Sequence, residues 1–553
     1  MDRILIYNFS GEIDDLSHLL PNDRMAQLAA IMRSRGTEVE VWDRGNAATL
    51  GELAPAPWKR KVASAAGGHL FRKLARNRPL SRLDRLLFGL PLKWTSGSMA
   101  REIERNYAEF MRQEAARIAG EGFDAVLLNV WQGGFHECMA LAETLKEAGS
   151  TRIYATGQRV DWFREHILRL YPQIDGILLG LAYEAARRLA AGEPFESLPD
   201  VAYRDGSGGI AWNERTVTEV EGLPRPDYSP PAYRGIEDLI PLVHVSLSNQ
   251  ACPNRCAFCP RPVNYGHAVR RKPVEQAVEE VTSLRREGIR HFRIADSTPP
   301  PGLLTDFARS IVERGLSEEG VHFTAFARID QNRREDFELL REAHFESLFF
   351  GLETLDDRLL ERIRKGITYD EIRDTLRAAH GAGLFVVGSL IFPLPHETEE
   401  TRDTTLRRLG EVARFLDSVL IQPAGVYPSS DWGTRPEEFG IHLSPHYVEK
   451  LMNYPVKFII PMRFWPPFPF AYPLMGKDAR EVTFRDILEA YESFSSRVWD
   501  ELGLCNVQDY TLLIARMVGE DSYEFTDHVK KVLVTRDYDA IGDIVRRSRR
   551  HLA

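Results

Sequence analysis

The sequence predicts an α/β protein, with a doubly wound, Rossmann-like first half, a partial (β/α)6 TIM-like barrel and a mainly helical C-terminal region. Short apolar runs alternate with amphipathic helical patterns over residues 1–198, which is typical of a parallel sheet with both faces covered. The alternation resumes over residues 241–442, and about six strand–helix units indicate a barrel that is not closed. From residue 443 onward, a stretch rich in proline and aromatic residues precedes further helical patterns.

The composition is that of a globular protein with several domains. The 553 residues are 43% apolar and 27% charged, and 71 basic against 80 acidic side chains leave a net charge of −9. This balance makes nucleic acid an unlikely partner. Five cysteines are too few for a disulfide framework, so we expect reduced thiols and a cytoplasmic location. The sequence has no run of about 18 apolar residues, so we expect no membrane span.

Five apolar runs predict the strands of the first sheet, at residues 3–7, 38–42, 123–130, 152–155 and 176–179. Sheets of this kind bind their ligands at the carboxyl ends of the strands. We therefore take the residues that follow these runs as candidates for ligand binding. They are Ser10, Gly11, Glu12, Trp131, Gln132, Gly133, Gly134, Thr156, Gly157, Gln158, Leu179 and Gly180.

A basic insertion interrupts this pattern at about residues 55–118. Within it, residues 58–93 hold ten Lys or Arg residues and a single acid, Asp84. We interpret it as a helical lobe whose charge is either a solvated surface or a lid over phosphate or propionamide groups of a bound cofactor. Residues 199–240 are rich in Pro, Gly and Asp and predict a hairpin followed by a linker.

The C-terminal region, residues 443–553, begins with an unusual segment. Residues 454–473 contain six prolines and seven aromatic residues, a density that excludes a regular helix or a central strand. The segment is either a packed apolar wall or the lining of an aromatic or apolar substrate site. The sequence alone leaves both interpretations open.

Three of the five cysteines lie within eight residues, as Cys252, Cys256 and Cys259, directly after an apolar run at residues 242–247. The C-x3-C-x2-C spacing can direct three thiolates at one centre, and soft thiolates select an iron–sulfur cluster or zinc. A closed structural zinc site needs four ligands, and neither remaining cysteine is near in sequence. A [4Fe–4S] cluster held by three thiolates leaves one iron open for a further ligand, so we favour the cluster over zinc.

The triplet, with an aromatic residue before its third cysteine, resembles the signature of the radical S-adenosylmethionine (radical SAM) superfamily. The resemblance implies that the three cysteines hold a [4Fe–4S] cluster and that S-adenosylmethionine (SAM) chelates the open iron. Motifs like those of the family follow after the second, third and fourth predicted barrel strands. The cofactor-binding residues implied in this way are Phe258, Ala295, Asp296, Ser297, Arg328 and Glu353.

Some of these residues also have a purely structural interpretation. Asp296 could cap the next helix, Arg328 could pair with a neighbouring carboxylate, and Glu353 could form a salt bridge at the end of the barrel. A turn at residues 391–398 resembles the family's F-x-G-L-P-G-E-T turn, but Pro393 and His396 replace its two glycines.

The first half resembles the cobalamin-binding domain that precedes the barrel in the B12-dependent radical SAM group. The likeness lies in the opening strand, the Leu-Ala-Ala helix that follows, the strand at residues 39–43 and the strand that leads to Gly180. It implies that residues 1–198 bind cobalamin through the strand-end residues named above. The D-x-H-x-x-G motif is missing, and neither His136 nor His166 has its spacing, so the cobalt is expected to lack a protein nitrogen ligand.

The combined resemblance implies a methyltransferase that moves a methyl group from SAM through methylcobalamin to a carbon of a small-molecule or peptide natural-product precursor. An electron donor such as flavodoxin or ferredoxin is the expected partner. The alternatives are a B12-dependent radical SAM cyclase, oxidase or rearrangement enzyme, and non-radical methylation of an aromatic sp² carbon such as that of an indole. The hypothesis from a different functional class is a cobalamin-binding sensor or carrier with an inactive barrel.

Overall fold

The computed structural model describes residues 2–74, 81–131, 133–149, 151–331, 334–454, 462–550 and 552. Gln132, one of the predicted site residues, and residues 455–461 of the aromatic segment lie outside these ranges. Two large, mainly parallel sheets follow one another along the chain, and the C-terminal helices pack against both the barrel and the first domain.

The first sheet has eight strands. They are β1 (Arg3–Phe9), β2 (Glu38–Asp43), β3 (Ala125–Val130), β4 (Arg152–Thr156), β5 (Gly176–Leu178), β6 (Val201–Arg204), β7 (Ile210–Trp212) and β8 (Tyr233–Arg234). Their order across the sheet is β7-β6-β5-β4-β3-β1-β2-β8. β1 to β5 and β8 pair in parallel, whereas β6 and β7 are antiparallel additions at one edge. The range 199–240 therefore supplies three strands to this sheet.

Helices cover both faces of the first sheet, because its central strands are apolar on both sides; every residue of β3 is buried. The helices are α1 (Asp23–Arg33), α2 (Ala47–Leu53), α3 (Pro57–Leu74), α4 (Arg82–Asp84), α5 (Leu90–Glu121), α6 (Phe135–Ala148), α7 (Gln158–Phe163), α8 (Glu165–Leu170) and α9 (Tyr183–Ala190). The basic insertion is the helical stretch from α3 to α5, between β2 and β3.

The second sheet is a six-stranded, fully parallel partial barrel with the order β14-β13-β12-β11-β10-β9. The strands are β9 (Leu242–Val245), β10 (His291–Ile294), β11 (His322–Ala327), β12 (Phe345–Glu353), β13 (Phe385–Ile391) and β14 (Ser418–Gln422). The helices are α10 (Arg261–Tyr265), α11 (Val274–Arg286), α12 (Leu303–Glu313), α13 (Arg334–Glu342), α14 (Asp357–Arg362), α15 (Tyr369–Gly381), α16 (Glu399–Val412) and α17 (Asp431–Thr434). A capping box of Thr368 and Glu371 fixes the start of α15. The α/β fold and the partial barrel predicted from the sequence are confirmed.

The C-terminal region is mainly helical, as predicted. It contains β15 (His442–Leu443), α18 (Tyr447–Met452), β16 (Phe470–Ala471), α19 (Phe484–Ser496), α20 (Asp509–Val518), α21 (Ser522–Thr535) and α22 (Tyr538–Ser548). The segment before α20 runs beside the start of β14, where the Ser418 hydroxyl donates to the Val507 carbonyl at 2.8 Å. Asp509 then forms a two-pronged ion pair with Arg293 of β10, both N–O distances being 2.9 Å. The C-terminal region thus closes the barrel at the amino ends of its strands.

Replacing the buried partner of this ion pair should destabilise the barrel. The Asp509 side chain is fully buried and that of Arg293 is 12% exposed, so Asp509→Asn leaves a guanidinium buried without its counter-charge. We expect a loss of about 3–5 kcal/mol in the free energy of unfolding, measured by urea denaturation. Glu489→Gln, which breaks the exposed Arg485–Glu489 pair, should cost less than about 1 kcal/mol. Equal effects of the two substitutions would show that the Arg293–Asp509 pair does not anchor the barrel.

Candidate active site

The three cysteines lie in a loop between β9 and α10 that is held by backbone hydrogen bonds. The Cys252 N–H donates to the Gly266 carbonyl at 3.1 Å, and the Cys259 N–H donates to the Cys256 carbonyl at 3.1 Å. The Ala257 N–H donates to the Ile363 carbonyl at 3.0 Å, which ties the loop to the end of α14. These bonds hold the loop at the carboxyl end of β9.

The three thiols are close enough to influence one another electrostatically. Burial raises the pKa of the Cys256 thiol, and it raises the pKa of Cys259 to about 11, with further raising effects from the neighbouring thiols. Lys365, Arg328 and Arg261 oppose these increases. Within the described ranges, no three His, Cys, Asp or Glu side chains are grouped tightly enough for a single metal ion. An iron–sulfur cluster spreads its thiolate ligands over several irons.

Asp296, for which the resemblance implies a contact with the methionine part of SAM, is hydrogen-bonded to other residues of the protein. It is 1% exposed; one carboxylate oxygen accepts from the Leu247 N–H at 2.7 Å and the other from the Ser248 hydroxyl. It therefore secures the chain as it leaves β9 and does not cap α12. Ala295 and Ser297 flank it and are half-buried, and the hydroxyl of Thr298 lies 3.8 Å from the Cys252 sulfur.

Arg328 and Glu353 meet at Lys365, one turn beyond α14. The Lys365 ammonium lies 2.7 Å from Glu353 and 5.9 Å from the centre of the Phe258 ring. Arg328 donates to the Lys365 carbonyl at 2.6 Å and pairs with Asp330 at 2.7 Å. Glu353 has a φ of +63°, a strained conformation for a residue with a side chain. The structure thus places both predicted residues beside the thiol loop, in a network of salt bridges.

The turn with two replaced glycines keeps the expected backbone shape at one of them. His396 has a φ of +67°, the left-handed region that glycine favours and that histidine tolerates better than most residues. The His396 imidazole lies 2.9 Å from the Phe439 carbonyl, and the His396 backbone N–H donates to the Pro473 carbonyl at 2.6 Å. The substituted turn is therefore anchored to the C-terminal region.

Two side chains that the sequence did not indicate lie beside the thiol loop. Trp432 of α17 packs on Phe258, with ring centres 6.0 Å apart, and its indole N–H is buried with no hydrogen-bond partner in the described part of the chain. The hydroxyl of Ser429, three residues earlier, is also buried with no hydrogen-bond partner among the described residues. Buried polar atoms of this kind are normally satisfied, so the pair fits a ligand with hydrogen-bonding groups, as SAM has, next to Phe258.

The strand-end loops of the first sheet pack tightly on one another. A Cβ atom on Gly11, which has a φ of +65°, would clash with the backbone of Gly133, and one on Gly134 would clash with the Phe9 carbonyl. The glycines therefore permit the close approach of the loops after β1 and β3, which accounts for them without a ligand. Thr156 is also hydrogen-bonded within the protein, because its hydroxyl accepts from Arg24 at 2.5 Å and donates to the Leu178 carbonyl at 3.2 Å.

The other predicted residues of this edge differ in exposure. Gln158 is exposed, whereas Trp131 and Gly133 are half-buried. Glu12 forms an ion pair with Arg536 of the C-terminal region. The buried members are Ser10, Gly11, Gly134, Thr156, Gly157, Leu179 and Gly180.

The carboxyl-end edge of the first sheet faces the thiol loop of the barrel. Asp161 of α7 accepts from the Gly180 N–H at 2.8 Å and from Arg24 at 3.1 Å, and the Tyr265 hydroxyl of α10 donates to it at 3.4 Å. A Cβ atom on Gly180 would clash with the Asn264 carbonyl, which is also in α10. The two sheets thus present their ligand-binding edges to each other.

A buried arginine lies at this junction, and sequence reasoning missed it. Arg159 is 5% exposed and is stacked between Phe135 and Phe163, 5.5 and 5.0 Å from their ring centres. It donates to the Met452 carbonyl at 2.8 Å, but its Nε–H has no partner within the described residues. Burial lowers the pKa of Arg159 to about 10. A buried guanidinium with an unpartnered Nε–H suits hydrogen-bond acceptors such as the amide and phosphate oxygens of cobalamin at the strand-end edge.

The chain is similar to several known proteins. Residues 247–409 match the family model described as the radical SAM superfamily. An uncharacterised methyltransferase of Pyrococcus horikoshii is 27% identical over 296 residues, which are 52% of this chain and 62% of that protein. The hopanoid C-2 methylase of Rhodopseudomonas palustris is 29% identical over 178 residues, 31% of this chain and 34% of that protein. The chain thus spans less than two thirds of these relatives.

Two solved structures share the fold. The radical SAM methyltransferase TsrM from Kitasatospora setae, with cobalamin and a [4Fe–4S] cluster bound, matches with a TM-score of 0.66 and 13% identity, over 98% of this chain and 100% of that chain. The cobalamin-dependent radical SAM enzyme OxsB, with aqua-cobalamin and SAM bound, matches with a TM-score of 0.55 and 16% identity, over 81% of this chain and 56% of that chain. At these identities the likeness is one of fold.

The family match shows that the chain contains a radical SAM domain, as the cysteine triplet predicted. Such a domain implies a [4Fe–4S] cluster and SAM. None of the helices in the described part of the chain combines the length and the apolar character that a transmembrane segment requires.

Replacing the cysteine triplet should abolish the cluster. We expect the combined Cys252→Ala, Cys256→Ala and Cys259→Ala variant, reconstituted without oxygen, to lack both bound iron and the broad absorbance near ~400 nm of a thiolate-ligated cluster. A matched variant with Cys138→Ala and Cys505→Ala should keep both. Four irons per chain in the triple variant would refute the ligand assignment.

The turn at residues 391–398 gives a pH-dependent prediction. Glu397 is almost fully buried, and burial raises its pKa from 4.5 to about 7. The folded protein therefore binds this proton more tightly than the unfolded chain does, so the stability that the protonated group contributes is lost as the pH rises from about 4.5 to about 7. Glu397→Gln cannot ionise and should unfold at a higher urea concentration than the unsubstituted protein at pH 8, with little difference at pH 5.

The control for this experiment is Glu399→Gln, two residues further along. Glu399 is exposed, so its substitution should leave the pH profile unchanged. A Glu397→Gln variant that keeps the full pH dependence of the unsubstituted protein would show that another group causes it.

Proposed function

We propose, from the radical SAM domain at residues 247–409, that this protein is a cobalamin-dependent radical SAM methyltransferase. In this proposal it transfers a methyl group from SAM, by way of cobalamin, to a carbon of a small-molecule or peptide natural-product precursor. The domain boundaries that go with it are residues 1–198 for cobalamin, with the insertion at about 55–118, residues 199–240 as the connection, 241–442 for the barrel and 443–553 for the C-terminal region.

The observation that carries the proposal is the apposition of the thiol loop and the strand-end edge of the first sheet. Tyr265 and Asn264 follow the third cysteine by five or six residues, and both contact the loops of the first sheet through Asp161 and Gly180. A cofactor on the first sheet and a cluster on the loop would therefore lie on either side of one space. Methyl transfer between two cofactors needs this proximity.

Relatives of this chain support the same proposed function. The relatives include a hopanoid C-2 methylase and an uncharacterised methyltransferase, and the solved structures with this fold hold cobalamin together with a cluster or SAM. When bound, the cluster supplies an electron for the cleavage of SAM, and cobalamin carries the methyl group.

The residues of the chain bind and orient these groups. We assign Cys252, Cys256 and Cys259 to the cluster, and Phe258, with Trp432 behind it, to the wall beside SAM. Arg159 and the strand-end loops are assigned to cobalamin. Lys365 and Arg328 lower the pKa of Cys256, which favours its thiolate form, whereas Glu353 raises it.

We also propose that flavodoxin or ferredoxin donates the electron, in the cytoplasm. Pro253 and Arg255, between the first two cysteines, are exposed, so the loop reaches the surface where a donor can approach. The exposed guanidinium of Arg255 suits an acidic protein partner. All five cysteines are free thiols, as the reducing cytoplasm requires.

A second candidate function is methylation of an aromatic sp² carbon without a carbon-centred radical on the substrate. The observation in its favour is the group of aromatic side chains, among them Trp465, Tyr491 and Trp499, that lines the cavity at the open side of the barrel. The first candidate releases 5′-deoxyadenosine with each methylation, and the second does not. Product analysis therefore separates them.

Labelled methyl transfer tests the proposal. The protein, loaded with cluster and cobalamin and supplied with dithionite and methyl-deuterated SAM, should place the labelled methyl group on cobalamin and then on an organic acceptor from a cell extract of the source organism. Mass spectrometry of the extracted corrinoid and products measures both. Protein prepared without cobalamin is the control and should transfer no methyl group. Formation of 5′-deoxyadenosine with no labelled methyl group on either acceptor would contradict the proposal.

A further inference from the structure

A cavity of about 680 Å³ lies beside the last barrel strand, between the barrel, the C-terminal helices and the first domain. Leu420 to Pro423, at the end of β14, form one side, and residues of α19 and α21 form the other. Asp14 to Leu16, shortly after the β1 strand-end loop, contribute from the first domain. A cavity of this size admits a small organic molecule.

The cavity extends along β14 from its start to its carboxyl end. Near the start of β14 it is lined by Asn506 and Gln508, which flank Val507, the residue that accepts from Ser418. At the carboxyl end of β14 it is lined by Gln422 and Pro423. A molecule in the cavity could therefore reach from the start of β14 to the carboxyl end of the barrel.

Aromatic side chains give the cavity apolar walls. Trp465, Tyr491, Trp499 and Tyr510 line it. Trp465 belongs to the Pro-rich aromatic segment, for which the sequence left two interpretations open. Phe470 and Tyr472 of the same segment are buried in the core, so the described part of the segment serves as both packed wall and cavity lining.

The acidic side chains of the lining are engaged by neighbours. Glu492 pairs with Arg463 at 2.8 Å, and Asp500 accepts from the Ser496 hydroxyl at 2.6 Å. Asp15 accepts from the Ser17 N–H at 2.6 Å. Asp14 lies 3.8 Å from His18.

Lys530 of α21 differs from these groups. Its ammonium contacts the Asn506 carbonyl at 3.4 Å, and it makes no ion pair with any carboxylate in the described part of the chain. Burial lowers the pKa of Lys530, and the nearest opposing charge, Asp527, acts only through space. The indole N–H of Trp499 is likewise buried without a partner among the described residues. The cavity thus holds a positive charge and a hydrogen-bond donor that are not satisfied within the protein.

We propose that this cavity binds an organic acid with an aromatic or apolar body and a single carboxylate. The carboxylate pairs with Lys530 and the body packs between the aromatic walls. The inference rests on the proposed function in one respect, since the bound acid would be the methyl acceptor. A single ammonium neutralises a singly charged carboxylate, whereas a doubly charged phosphate would leave one charge uncompensated between the apolar walls.

Binding measurements on the full-length protein, reconstituted without oxygen, test this inference independently of methyl transfer. The probes are indole-3-propionate, its primary amide and phenyl phosphate, and isothermal titration calorimetry gives their dissociation constants. We expect the acid to bind at least tenfold more tightly than the amide and than phenyl phosphate. Lys530→Met should remove the preference for the acid, whereas Lys530→Arg should retain most of it.

Lys531→Met is the matched control, because Lys531 is the next residue of the same helix and is exposed. It should leave all three dissociation constants unchanged. The inference is overturned if the acid does not bind, if acid and amide bind equally, if phenyl phosphate binds most tightly, or if Lys530→Met keeps the preference for the acid. Selective acid binding, together with 5′-deoxyadenosine formation and no labelled methyl group on either acceptor in the experiment above, would uphold the ligand class and contradict the proposed function alone.

Discussion

One buried carboxylate connects the first sheet to the segment that follows the thiol loop. Asp161 accepts hydrogen bonds from the Gly180 backbone, from Arg24 and from Tyr265 of the barrel. A buried charge is tolerated only when several partners satisfy it, and those partners must then keep their positions. The network therefore fixes the distance and angle between the two strand-end edges, on which the whole candidate site is built.

Much of this arrangement could be predicted because its chemistry is local in sequence. The spacing of Cys252, Cys256 and Cys259 directs three thiols to one place whatever the rest of the chain does. Alternating apolar runs predicted both sheets, since strand burial depends on short stretches of sequence. The same rule indicated which loops of the first sheet would lie at the ligand-binding edge.

The roles of single residues could not be predicted where distant segments meet. The sequence gives no sign that Arg159 is enclosed by Phe135 and Phe163, or that Trp432 covers Phe258, because these contacts join separate elements. Gly11, Gly133 and Gly134 looked like ligand contacts, yet their lack of a Cβ atom is explained by the packing of two loops. Asp296 and Arg328 are largely satisfied by protein partners. They hold the chain after β9 and the Lys365 segment in place.

The ion pair of Arg293 with Asp509 has a consequence for biosynthesis. More than two hundred residues separate the two side chains. The amino ends of the barrel strands therefore stay uncovered while the ribosome is still making the intervening chain. The amino ends of the barrel strands can be covered only after α20 has been synthesised. A cluster inserted before α20 is synthesised would therefore enter a six-stranded barrel whose amino ends are still uncovered.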